Sequence, residues 1–360
     1  MKIDVTRLLS AAAPIHPWRQ LIPDKSNAQS TGWSCQYPLA FEKMVDLKSL
    51  HPKLIKTFTE TSSGSTVCSY TSDIGGDGPI LTLIHGYPQS AFIWRHVIPA
   101  LADKISLFVP ELPGYGVSTA CKKHSKKDVG SALLEALESV FHISQASRRK
   151  IILGGHDRGA RICHRLAVDK DDFPNLDVIG TVLLDIVPTK VQWEAFANPT
   201  IAVGYFHWPF LANLAIAVPM LEAYGGGRWC RDAHTRIRGP NAEGQKRLES
   251  DNAVDVHCEL FDKKETIIGS CEDYASGAAP EVAEQAEDQK KGKKIAVPTL
   301  VMFSKAKLGA GLDVENIWKD WVQPGIQYQG IGVGDGHGHY LPEEACDHVS
   351  EAIGDFIKRL

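Results

Sequence analysis

The stretch Lys150-Ile151-Ile152-Leu153-Gly154-Gly155-His156-Asp157-Arg158-Gly159-Ala160-Arg161 carries a short apolar run straight into an aspartate set between glycines. The run reads as a buried strand, and Arg158 to Val168 as a helix that follows without a linker. Gly155-His156-Asp157-Arg158-Gly159 is spaced small-x-acid-x-small, the nucleophile-elbow pattern with Asp157 where serine is usual. So sharp a turn leaves no room for side chains beside its central residue, hence the glycines, and it exposes that residue at the carboxyl edge of a sheet. An aspartate there is already ionised at neutral pH, and the helix N-terminus favours its charge. A carboxylate attacks sp³ carbon by displacement and leaves an alkyl ester, whereas serine suits acyl transfer. The plainer reading of the same residues is a turn with Asp157 as helix N-cap.

Outward from this turn the chain keeps a strand and helix rhythm. Pro79 to Ile84 and Ile105 to Pro110 read as buried strands on the N-terminal side, and Ser131 to Phe141 as a helix with Leu133, Leu134, Leu137 and Val140 on one face. On the C-terminal side Val178 to Ile186 and Pro298 to Ser304 read as further strands. Apolar strands alternating with helices predict an α/β protein whose mostly parallel sheet is covered on both faces. Between Pro188 and about Gly292 the sequence turns aromatic and helix-forming, which predicts a helical cap inserted into the core. The charged run Glu281 to Lys294 reads as a solvated linker or loop. The expected organisation is an N-terminal extension (1–46), a first core part (47–189), the cap with its polar linker (190–292) and a second core part (293–360).

Composition narrows the function. At 43% hydrophobic and 23% charged over 360 residues there is ample material for a core, and a formal charge of −4 gives no reason to propose nucleic acid or an anionic membrane as partner. No stretch approaches the roughly 18 apolar residues of a membrane span. The eight cysteines include no C-x-x-C pair, which argues against a structural zinc site and against a disulfide framework. The N-terminal Met1 to Trp18, with Asp4 and Arg7 breaking its apolar run, makes a poor signal peptide, so a cytoplasmic setting is the simplest reading.

Two loops complete the candidate chemistry. His85-Gly86-Tyr87-Pro88-Gln89 follows the first clear strand, where backbone N–H groups of an oxyanion hole arise; the candidates are the N–H of Tyr87 and that of Arg158, the residue after Asp157. Gly334 to Glu343 is glycine-rich and carries His337 and His339 before the last helix. A neutral imidazole there can take a proton from water near pH 7. Both histidines compete for the role, and His339 is preferred. Arg158 and Arg161 share one face of their helix at its N-terminal turn, where the macrodipole disfavours cations by roughly 0.3–1 kcal/mol each. Two cations so placed beside a carboxylate suggest an anionic substrate, since arginine grips a carboxylate bidentately. Pairing with Asp169, or plain exposure, is the alternative.

From about Phe41 onward the sequence resembles the fluoroacetate (haloacetate) dehalogenases, which are α/β-hydrolase-fold enzymes related to haloalkane dehalogenases and epoxide hydrolases. The pieces that carry the resemblance include His85-Gly86-Tyr87-Pro88-Gln89, Gly155-His156-Asp157-Arg158-Gly159-Ala160-Arg161, Leu184-Asp185-Ile186-Val187-Pro188-Thr189, His207-Trp208, Glu272-Asp273-Tyr274 and Gly338-His339-Tyr340. It implies Asp157 as nucleophile, His339 as base and Asp185 as the acid orienting that base, with Asp313 as a rival. Arg158 and Arg161 would clamp a substrate carboxylate, and His207, Trp208 and Tyr274 would receive a departing halide. It implies hydrolysis of a small 2-halo carboxylate through an aspartyl ester, without metal or organic cofactor, with a homodimer as an option. Glu111 stands where relatives carry aspartate, and the extension and the residues from about Gly277 to Lys294 depart from the compact pattern. Epoxide hydrolysis is the nearest alternative; a fold recruited to a larger metabolite is another.

Overall fold

A computed structural model of the chain describes residues 50–360; the expected extension lies outside the described residues. Eight strands, β1 (Ile55–Glu60), β2 (Thr66–Ser72), β3 (Ile80–Ile84), β4 (Ser106–Pro110), β5 (Arg149–His156), β6 (Leu176–Leu184), β7 (Thr299–Ser304) and β8 (Tyr328–Val333), form one sheet in the order β1-β2-β4-β3-β5-β6-β7-β8. β1 pairs with β2, and β2 with β4, antiparallel. From β4 to β8 every pairing is parallel.

Alternation along the central strands supplies both faces with apolar side chains. Ile151 and Leu153 of β5 join one core cluster with Leu133, Leu137, Ile162 and Leu166 from the helices Lys126–Val140 and Arg158–Val168. Ile152 joins the other, with Trp94, Val182, Leu300, Ile353 and Phe356. β1, β2 and β8 escaped the sequence reading, β1 and β8 for different reasons. β1, Ile-Lys-Thr-Phe-Thr-Glu, is a half-exposed edge strand, and β8 carries Gly330 and Gly332, which weaken a strand's signature.

Strand order reverses between β3 and β5: the chain leaves β3 for β4 on one side and returns to β5 on the other. Such a switch point opens a crevice at the carboxyl ends of the strands. Ile84 of β3 lies level with Gly155 of β5, and His156 with Leu184 of β6. The loops that begin at His85, Asp157 and Asp185 therefore emerge side by side.

Between β6 and β7 the chain is helical from Thr189–Ala195 through Ala279–Lys291, with no strand. Here the structure corrects one expectation. Glu281 to Lys291 is not a solvated loop but most of the helix Ala279–Lys291. One side of the helix is docked, while Glu284, Glu287, Lys290 and Lys291 stay exposed: Glu281 accepts a hydrogen bond from Thr189 Oγ1 (2.6 Å) and Gln285 Oε1 one from the Lys190 N–H (2.9 Å). Asp288 pairs with Arg165. A charged run is helical here because its partners lie on the core.

No helix among the described residues is long and apolar enough to cross a membrane. All seven cysteines there are free and buried.

Candidate active site

Asp157 sits between β5 and the helix Arg158–Val168 with φ 48° and ψ −115°, a conformation that costs a non-glycine residue of order 1–3 kcal/mol. The strain is sustained by packing that tolerates only glycine around it. A Cβ on Gly159 would lie 2.2 Å from the Ile84 carbonyl oxygen, and one on Gly86 would lie 2.5 Å from the Asp157 Cβ. Backbone on backbone at that range holds the loop after β3 against the turn after β5. The Tyr87 N–H then donates to Asp157 Oδ1 at 2.9 Å. It is the one expected oxyanion donor bonded to the carboxylate; the Arg158 N–H, first in its helix, belongs to the orphan donors of a helix start.

His339 stands on the other side. Its Nδ1 is 2.6 Å from Asp185 Oδ2 and its Nε2 is 3.9 Å from Asp157 Oδ2. Asp185 is itself fixed: it lies at φ 53°, and its Oδ1 accepts from the Ser304 N–H at 2.7 Å. Burial opposes charge on His339, but the Asp185 hydrogen bond and the charges of Asp185 and Asp157 outweigh it and raise its pKa. Burial likewise works against the Asp157 carboxylate, yet the surrounding His339, His156, Arg158 and Arg161 hold its pKa below the usual value.

The rival residues lie elsewhere. Asp313 caps the helix Val314–Lys319, accepting from Asn316, and His337 packs near His348, with ring centroids 5.9 Å apart. The loop of His339 is held by Glu344, whose carboxylate accepts from the N–H groups of Gly338 (2.7 Å), Gly239 (2.8 Å) and Tyr340 (3.1 Å). His156, beside the aspartate, has its Nε2 2.8 Å from the His339 carbonyl. Burial pushes its pKa down to about 3, so it is neutral and donates there.

Arg158 and Arg161 are both buried, and neither pairs with Asp169, which belongs to Arg165 and Lys293. Arg158 instead binds Asp273 through Nε, and the Asp273 carbonyl through Nη2 at 2.8 Å. Lys126, fully buried, binds the same carboxylate. Arg161 Nη1 donates to the Val187 carbonyl (2.9 Å) and Thr189 Oγ1 (3.0 Å). Among the described residues each guanidinium keeps one buried nitrogen without a partner, Arg158 Nη1 and Arg161 Nε. Burial, reinforced by Arg158, brings the Arg161 pKa down to about 10, so it stays charged at neutral pH.

An aromatic wall closes the site. The Arg158 guanidinium lies 4.2 Å from the centre of the Tyr274 ring and that of Arg161 4.5 Å from Trp208, cation–π distances. His207 and Trp208 both meet Tyr274, with centroids 5.9 and 5.6 Å away. Asp157, His339, Asp185, Tyr87, Arg158, Arg161, His207, Trp208 and Tyr274 thus form one connected cluster, with Asp313 and His337 outside it. Missing from the sequence reading were Asp273, Lys126, Glu344 and Arg236, the last of which reaches His207. Lys126 is one of two adjacent lysines and gave no signal, whereas Asp273 sits in the quoted Glu272-Asp273-Tyr274 motif.

The sequence matches the model of the Alpha/beta hydrolase family over residues 83–346. The chain belongs to the α/β hydrolase family. This α/β hydrolase is 29% identical over 294 residues to a fluoroacetate dehalogenase of Burkholderia sp, covering 79% of this chain and 88% of that protein. It is 25% identical over 286 residues to a soluble epoxide hydrolase of Corynebacterium sp. (strain C12), covering 79% and 92%. The crystal structure of ALR0039 from Nostoc sp PCC 7120 superposes with a TM-score of 0.73 at 26% identity, over 86% of this chain and 99% of that one. The sheet order and the flanking helices are those of the family's fold. Dehalogenases and epoxide hydrolases are thus both among the hydrolase's relatives.

Proposed function

We propose that the hydrolase cleaves a carbon–halogen bond next to a carboxylate, through an ester on Asp157. The observation that carries the reading is the division of labour within one carboxylate. Asp157 Oδ1 is held by the Tyr87 N–H, while Oδ2 is turned toward His339 Nε2 across 3.9 Å. In the first step Oδ2 attacks the carbon, the carbon–halogen bond breaks with its electron pair, and halide leaves toward His207, Trp208 and Tyr274. In the second, His339 takes a proton from water, and the hydroxide adds to the ester carbonyl of Asp157. The charge that gathers on Oδ1 meets the Tyr87 and Arg158 N–H groups. The ester collapses to a 2-hydroxy acid and the free carboxylate, and Asp185 steadies the imidazolium meanwhile.

The unpartnered Arg158 Nη1 and Arg161 Nε support a carboxylate as the substrate's handle. Two buried cationic donors with nothing to bind are costly unless a ligand fills the place. An epoxide would need phenol donors, and Tyr205 and Tyr274 both approach His207, with centroids 6.1 and 5.9 Å away. That reading leaves the two arginine nitrogens unexplained and ranks second. In this reading the helical stretch between β6 and β7 acts as a cap over a small anionic substrate, and the chain's own residues supply nucleophile, base and oxyanion donors.

Halide release from fluoroacetate and chloroacetate tests the proposal, with Asp157→Ala as control. Release by the wild type and a loss of at least about 10⁴-fold in the variant is the expected result. A single turnover in ¹⁸O-water should place the label in Asp157; label entering the product directly would overturn the ester. A folded wild type that releases halide from neither acid but opens epoxides would move the assignment to the second reading.

A further inference from the structure

A neutral imidazole carries one N–H, and which ring nitrogen holds it decides whether the side chain offers a hydrogen or a lone pair to whatever faces it. His207 is such a ring. Burial, reinforced by the charge of Arg236, lowers its pKa well below the ordinary value and keeps it neutral. Arg236 Nη2 lies 3.3 Å from His207 Nδ1. A guanidinium has donors only, so Nδ1 must accept, and the single proton is left to Nε2. Nε2 has no partner among the described residues.

The guanidinium cannot easily turn away. Its Nη1 donates to the Gly204 carbonyl at 2.8 Å, and its plane lies 5.2 Å from the centre of the Phe206 ring. Aromatic rings surround the imidazole. It lies nearly parallel to Tyr87 (6.2 Å, 11°) and Tyr205 (6.1 Å, 26°), with Tyr274 edge-on at 5.9 Å. With a donor facing Nδ1, the tautomer is set by that contact.

We infer that Arg236 is a positioning residue that locks His207 as the Nε2–H tautomer and so makes it a hydrogen-bond donor to the leaving group. The inference rests on the dehalogenase reading for the identity of that group, though not for the tautomer itself. Arg236 touches neither substrate nor reacting atoms in this scheme; it acts through His207. Fluoride, the smaller and more strongly hydrogen-bonding halide, should depend on the lock more than chloride does.

The test has two arms. In full-length protein labelled with ¹⁵N-histidine, long-range ¹H–¹⁵N correlations report the tautomer directly, with the His207 signals assigned by their loss in His207→Gln. Wild type should show Nε2–H, and Arg236→Gln, whose amide still donates, should keep it. Arg236→Glu, whose carboxylate accepts, should move the proton to Nδ1. A wild-type ring with Nδ1–H, or an Arg236→Glu ring that stays neutral with Nε2–H alone, overturns the lock. The second arm compares turnover of fluoroacetate with chloroacetate, a ratio that a change of charge felt equally by both substrates does not move. The ratio should hold in Arg236→Gln and drop on the order of 10²-fold in Arg236→Glu, the size of losing one preorganised donor. An equal drop in both variants, or none in either, refutes the donor role. A wild type with Nε2–H that releases no halide overturns the dehalogenase reading and leaves the lock standing.

Discussion

Replacing Asp273 by asparagine preserves the shape of a buried side chain and removes the carboxylate that two buried cations share. The Asp273 carboxylate binds Arg158 Nε and Lys126 Nζ, and the Tyr115 hydroxyl lies 3.3 Å from its Oδ2. Burial works against its charge, but Arg158 and Lys126 outweigh it and hold its pKa far below the normal carboxylate range. Taking one partner from a buried ion pair costs about 3–5 kcal/mol. At roughly 2 °C per kcal/mol for a chain of this size, Asp273→Asn should melt about 6–10 °C below wild type at pH 7. The loss should shrink as pH rises. Burial and then Arg158 already lower the Lys126 pKa, and without Asp273 it drops further, so the unfolded lysine binds more protons than the folded one. Stability then rises with pH between the two pKa values. Adding Lys126→Met should recover part of the loss, because one of the two stranded charges is gone. Differential scanning calorimetry of the four proteins of this cycle at pH 7 and pH 9 checks it. A drop under about 2 °C, or a double variant less stable than Asp273→Asn alone, would refute the view that the arginine beside Asp157 is held by charge.

Two further predictions concern the base. Asp185→Asn should lower the His339 pKa, because the hydrogen bond and charge that raise it are lost, so the acid limb of the kcat profile should move to lower pH. Steady-state turnover should fall by up to about 10⁴-fold, while a burst of halide equal to the enzyme present survives, because the first step needs no base; rapid-quench halide measurement would detect a missing burst, which contradicts the scheme. Glu344→Ala releases the three N–H groups that frame His339 and should cut kcat by about 10²-fold with KM little changed, as expected of a misplaced catalytic group. A purely higher KM would assign Glu344 to substrate binding instead.

The parts of the fold legible in the sequence were those where a local pattern and the tertiary structure impose the same demand. The run Lys150 to Gly155 had to be a strand and the glycines around Asp157 had to be glycines, for a turn this tight admits nothing else, and the same holds for the loop at His85-Gly86. The charged helix Ala279–Lys291 was illegible because its polarity serves partners far away in sequence, Thr189, Lys190 and Arg165. The site divides in the same way. Asp157 and His339 stood in short motifs with a chemistry of their own. Lys126 and Arg236 act on residues 147 and 29 positions away, Asp273 and His207, and a lysine in a polar helix start or an arginine in an arginine-rich helix carries no local mark of that task.

The close approach of Gly239 to Gly338 constrains how the enzyme can open. A Cβ on Gly338 would lie 2.0 Å from the Gly239 nitrogen, and one on Gly239 would lie 2.0 Å from the Gly336 carbonyl. The His339 N–H is bonded to the Ile237 carbonyl at 3.2 Å in the same seam. The end of the helix Gly226–Ile237 and the loop bearing His339 are therefore packed backbone against backbone. Any gate that swung this part of the helical stretch outward would carry the imidazole away from Asp157, and under the proposed scheme such an open state could admit substrate but could not finish hydrolysing an ester. Under that scheme, opening compatible with turnover would have to use helices remote from this seam.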